Sequence, residues 1–145
     1  MHATQPPPPA KPSTVEPSPA DLLRQAARYL AEHGWIQGSY YADPDAPSPA
    51  ACAVGALAIA AYGYPNPNPY LHTLEPHGRA AAEAWQRFIT AETALATYLG
   101  IDGLDPVDEV CTIHTWNDVD GRTATDVIDT LNAAADDLDT EEAAS

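Results

Sequence analysis

The chain has 145 residues, 45% of them hydrophobic, enough for one domain with a sizeable core. Its 21 acidic and 6 basic side chains leave a net charge of −15, and thirteen of the acids fall in residues 101 to 145 beside a single base, Arg122. Such a surface repels phosphate backbones and anionic headgroups, which argues against nucleic-acid and membrane binding and leaves a protein as the expected partner.

Residues 1 to 17 carry six of the fifteen prolines and almost no large apolar side chain, so an extended, disordered leader is expected there. A PxxP pattern near Lys11 would suit an SH3-like groove, but the composition favours a plain leader. No export signal is legible at this end. The longest apolar run, "AACAVGALAIAA", has twelve mostly small residues, whereas a bilayer takes about 20. Together with only two cysteines, Cys52 and Cys111, this suggests a cytoplasmic protein with free thiols.

The first helix is predicted over residues 19 to 33, with Ser18 as its cap, Pro19 at its first position and Asp21 three after the cap. Leu22, Leu23, Ala26, Ala27 and Leu30 share one face, and Gly34 ends it. "WIQGSYYA" follows as a short extended segment, then the loop "DPDAPSP". A second helix is expected over about 49 to 62, opened by Ser48 and Pro49 and stopped by Gly63. "YPNPNPY" cannot be helical, because alternate prolines remove donors and fix φ. A long helix is expected over about 77 to 99, with a break conceivable near Thr90. A short one follows over 106 to 114, capped by Asp105, and a last over 124 to 138, opened by Thr123 and Asp126. With 28 alanines and one phenylalanine, a few large anchors must carry the core, among them Leu57, Trp85, Phe88, Leu95 and Leu131. The pattern is a mainly α, single-domain bundle of about five helices with one short extended segment. It occupies residues 18 to 138, with an acidic tail fraying over 139 to 145.

The stretch "HTWNDVDGRT" (114 to 123) concentrates the chemistry. Read locally it is a helix junction. Gly121 permits a positive-φ turn, Asn117 and Asp118 can bond nearby amides, Trp116 anchors the turn, and Arg122 would pair with Asp118, Asp120 or Asp126. Read as a site, Trp116, Asn117, Asp118 and Arg122 are the candidate binding residues, with Trp116 and Arg122 facing a cleft. An EF-hand register fails: with Gly121 as its glycine, the first and twelfth positions fall on Trp116 and Val127. Cys111 and His114 form a C-x-x-H pair that would need Cys52 and one of His33, His72 or His77 to hold zinc. No second tight pair supports it, so no metal and no cofactor is expected.

Cys52, His114 and Asn117 form the alternative catalytic set. A thiol at a helix start is activated by the dipole, and a histidine 62 residues later, followed by Asn117 and Asp118, has the order of papain-like and cell-wall-peptidase folds. Those folds carry their histidine on a sheet, for which this sequence offers one weak extended segment. "ACAVGALA" reads more simply as a closely packed small-residue face.

Taken as a set, "AARYLAEHGWIQGSYYA", "CAVGALAIAA" and "WNDVDGRTATDVIDTL" resemble a family of small actinobacterial and phage proteins of unknown function. The resemblance rests on Gly34, Trp35, Gln37 and Gly38, on Cys52, Ala53, Gly55, Ala56 and Leu57, and on Trp116, Asn117, Asp118, Gly121, Arg122 and Thr123. It spans residues 22 to 135 and omits the proline-rich insert. It implies a bacterial or phage cytoplasmic setting and no particular activity. The function expected is a non-enzymatic acidic protein-interaction module, an accessory factor of a phage or mobile element. The alternative is a cysteine-dependent hydrolase or transferase.

Overall fold

The computed structural model describes residues 17–69, 78–101 and 106–144, with residues 78, 106–111 and 142–144 described by backbone alone. Except for Pro17, the proline-rich leader lies outside the described residues, as do His72, His77 and the Asp105 cap. Among the described residues five helices follow in order: α1 (Pro19–His33), α2 (Ala53–Tyr62), α3 (Gly78–Tyr98), α4 (Pro106–Asn117) and α5 (Ala124–Ala144). The protein is mainly helical, as the periodicity predicts. No helix among the described residues is long and apolar enough to cross a membrane.

α1 forms as its sequence dictates. The Asp21 amide donates to Ser18 Oγ at 3.1 Å and the Ser18 amide to Asp21 Oδ2 at 3.0 Å, a reciprocal capping box. Ala20, Leu22, Leu23, Ala26, Ala27 and Leu30 make its buried face. α1 packs most extensively along α5, then against α2 and α3. α2 is apolar all round and nearly all buried, the mark of a central helix rather than a surface one. Phe88, Leu95, Ile113, Val127 and Leu131 are wholly buried in the same core.

The start of α2 departs from the sequence reading. Residues 49–51 are extended and Cys52 is the cap. Their backbone is already engaged. The Ala51 amide donates to Gly34 O at 3.1 Å, the Ile36 amide to Ala51 O at 3.0 Å, and the Ala42 amide to Ala50 O at 2.9 Å. Ala51 thus bridges Trp35 on one side and Tyr41 on the other, and the Ser-Pro pair leads into this pairing instead of a helix. Three other helices also differ from the sequence reading. α3 runs unbroken through Thr90, whose hydroxyl bonds back to Gln86 O at 2.8 Å. α4 continues past 114 to Asn117, and α5 past 138 to Ala144. Arg24 of α1 reaches Asp136 at 2.8 Å and Asp139 at 2.7 Å, a polar tie beside that extension.

The proline-rich insert begins under two tyrosines. Tyr41 Oη donates to Asn66 O at 2.8 Å, and Tyr62 Oη donates to Pro69 O.

Candidate functional site

The polar centre of the molecule is the last turn of α4. Asn117 is wholly buried. Its Oδ1 accepts from Trp35 Nε1 at 2.8 Å and from the Ala53 amide at 3.0 Å. Its Nδ2 donates to Ile36 O at 3.2 Å and to Asp118 Oδ1 at 2.9 Å. One side chain therefore joins α4, the 35–42 segment and the first turn of α2. Asp118 Oδ1 also accepts from the Gly38 amide at 3.1 Å, and Gln37 Nε2 donates to Asn117 O at 3.1 Å and Val119 O at 3.0 Å. These carbonyls lie at the C-terminal end of α4 or just beyond it, where a helix lacks internal partners, so Gln37 acts as a cap from a distant segment. The sequence reading had Asn117 and Asp118 bonding amides of their own turn. Instead they reach amides of other elements.

Beside this knot lies the thiol. Cys52 caps α2, its Sγ accepting from the Gly55 amide at 3.4 Å, while its own amide donates to Tyr40 O at 3.0 Å. Gly55 is required by this crossing: a Cβ there would run into the Tyr40 carbonyl oxygen. Cys52 Sγ sits 4.0 Å from His114 Nδ1, and the His114 ring packs on Tyr40 with centroids 4.9 Å apart. The structure thus brings together Cys52, His114, Asn117 and Asp118. It does not arrange them as a nucleophilic triad. Cys52 is only 1% exposed, and burial pushes its thiol up to about 11 against the help of the Gly55 and Val54 amides. Burial also lowers the His114 imidazole, with Asp118 opposing. At neutral pH both groups are neutral, so no thiolate faces an imidazolium. The Asn117 amide is committed to Trp35, Ala53, Ile36 and Asp118.

Trp116 is partly buried and packs against the core, and Arg122 does not pair with the carboxylates expected for it. Its Nε donates to Trp116 O at 2.9 Å and its guanidinium lies over the Trp116 ring, 4.6 Å from the centroid. It is a C-cap for α4 and a cation–π partner at once. The turn then closes onto α5 through the Thr123–Asp126 capping box, at 3.0 and 3.1 Å. Among the described residues no group of three His, Cys, Asp or Glu side chains could hold a metal ion. The Cys111 side chain, on which the zinc alternative turned, lies outside them, with His72 and His77.

Sequence reasoning missed Tyr40, which stacks on His114, and the bonding roles of Trp35 and Gln37. The available signal was a tryptophan, an amide and a glycine crowded into a short extended segment directly after the Gly34 stop.

The family model DUF6197, a family of unknown function, matches residues 14–137. The chain belongs to this family. The match takes in α1 to α4, the junction and most of α5, and so all of the Asn117 knot. Neither curated proteins nor solved structures give a match.

Proposed function

We propose that the protein is a non-enzymatic, acidic protein-interaction module that presents the surface of the 118–121 turn and α5 to a basic partner. The observation that carries this reading is that every described carboxylate from Asp118 to Glu141 is exposed. The buried chemistry fits it: Cys52 and Asn117 are engaged in holding elements together, which leaves the surface as the place for recognition. An accessory factor of a phage or actinobacterial mobile element, acting in the cytoplasm on a host protein, is the setting we infer from the motif resemblance. The test is capture of a partner by the wild type and by a variant carrying Asp120→Asn, Asp129→Asn and Asp137→Asn, both checked for an intact helical spectrum. Capture that holds at about 0.15 M salt, weakens as salt shortens the screening length, and is lost in the variant supports the reading. Equal capture by both proteins refutes it.

The 4.0 Å approach of Cys52 Sγ to His114 Nδ1 favours one second reading, a cysteine-dependent hydrolase or transferase in a conformation that uncovers the thiol. It requires a burst of p-nitrophenol from p-nitrophenyl acetate, stoichiometric with protein and absent in Cys52→Ser. Without a burst this reading fails.

A further inference from the structure

We propose that the Cys52–His114 contact is an acid-sensitive latch: protonation of the imidazole releases the 35–42 segment from the end of α4 and uncovers the Cys52 thiol. The contact has one chemical sense. A thiol S–H can be donated to Nδ1 only while that nitrogen carries a lone pair, and an imidazolium presents N–H groups at both positions. At 4.0 Å the two groups are close enough for that loss to be felt.

The surroundings decide what happens next. Among the described residues, the titratable groups facing the ring are Tyr40 from the 35–42 segment, Cys52 from the start of α2, and Asp118 just beyond α4. Asp118 is the one that answers a positive charge. Its Oδ1 already holds the Gly38 amide at 3.1 Å, which fastens the segment directly, and Asn117 Nδ2 at 2.9 Å, which orients the amide that bonds Trp35 and Ile36. A cationic ring draws on the same carboxylate and weakens both. The segment has the means to move, since Gly34 and Gly38 bracket Trp35–Gln37 with φ of 105° and 89°. Residues 37 to 39 are exposed, so little apolar area holds their tip. Cys52 lies directly beneath, its amide held by Tyr40 O. The inference concerns the fold's own response to pH and does not depend on the partner proposed above.

The experiment uses the full chain with Cys111→Ser, so that Cys52 is the only thiol. Its rate of reaction with 2,2′-dipyridyl disulfide, whose protonated rings keep it open to attack by thiols in acid with release of pyridine-2-thione, is normalised at each pH to the urea-unfolded chain. The latch requires a rise of roughly tenfold or more between about pH 7.5 and about pH 5.5, with the helical spectrum unchanged. His114→Gln, which keeps an amide near the thiol and cannot be protonated, should react at a pH-independent rate. Should that variant fold poorly, the Trp35 indole N–H provides a second readout in the wild type: its protection from solvent exchange, taken against the unfolded chain at each pH, should fall over the same range. A flat wild-type rate, an equal rise in His114→Gln, or a rise that appears only as helicity is lost would each overturn the proposal.

Discussion

Asn117 shows how much one side chain can hold when it is buried between three elements. Replacing it with alanine leaves the Trp35 indole and the buried Ala53 amide without their acceptor. An unsatisfied buried donor costs about 1–3 kcal/mol, and water can reach the half-buried indole more easily than the amide, so Asn117→Ala should destabilise the protein by about 3 kcal/mol in urea unfolding. A loss under about 1 kcal/mol would mean that the knot repacks with little cost. Cys52 offers a second check through pH. Its thiol is raised to about 11 from an ordinary 9.0, so the unfolded chain loses that proton first. The stability this contributes is present below the unfolded value and is lost as pH rises from 9.0 through about 11. Cys52→Ser, whose hydroxyl can still cap α2, should lose less stability across that window than the wild type. It should not be flat, because burial also raises Tyr41 and Tyr62. Parallel pH curves for the two proteins would remove the thiol as the source.

The elements rest on one close crossing, where the 35–42 segment passes the first turn of α2. A Cβ at position 55 would meet the Tyr40 carbonyl and, at 3.1 Å, the Tyr41 ring. Backbone cannot step aside as a side-chain tip can, so Gly55→Ala should cost about 2–3 kcal/mol, at the upper end for overpacking, despite alanine's better helix propensity. A stabilised variant would show that the segment yields. This crossing also marks where the sequence stops being legible. α1 was readable from end to end because cap, apolar face and stop are all local. The box opening α5 was readable for the same reason. The start of α2 was not, because Ser48 and Pro49 carry a local helix signal that pairing of residues 50 and 51 with 34 to 42 overrides. The cluster of Cys52, His114 and Asn117 could be named from residue types, yet its meaning depended on burial and on partners about eighty residues away. Arg122 misled for a related reason: acidic neighbours in sequence suggested ion pairs, whereas the nearest acceptor in space is a helix-end carbonyl.

At the scale of the whole molecule the charge distribution opposes the fold it decorates. α5 carries Asp136, Asp137, Asp139 and Glu141 towards its C-terminal end, where the helix dipole disfavours negative charge. Packing along α1 holds the helix in place, and Arg24 links the two through Asp136 and Asp139. Salt acts on both sides of this balance, weakening the Arg24 bridges and relieving repulsion among the carboxylates. The bridges are solvent-exposed, so little stability is expected from them. The repulsion involves thirteen acids against one base in residues 101 to 145 and should dominate. The Tm should therefore rise as salt increases from a few millimolar to about 0.15 M, over which the screening length shrinks to about 8 Å. Arg24→Gln should steepen that rise, since it removes a component that salt erodes while leaving the repulsion intact. Scanning calorimetry at three salt concentrations decides the matter. A Tm that falls with salt in the wild type, and no longer does so in Arg24→Gln, would show that the bridge between α1 and α5 outweighs the repulsion.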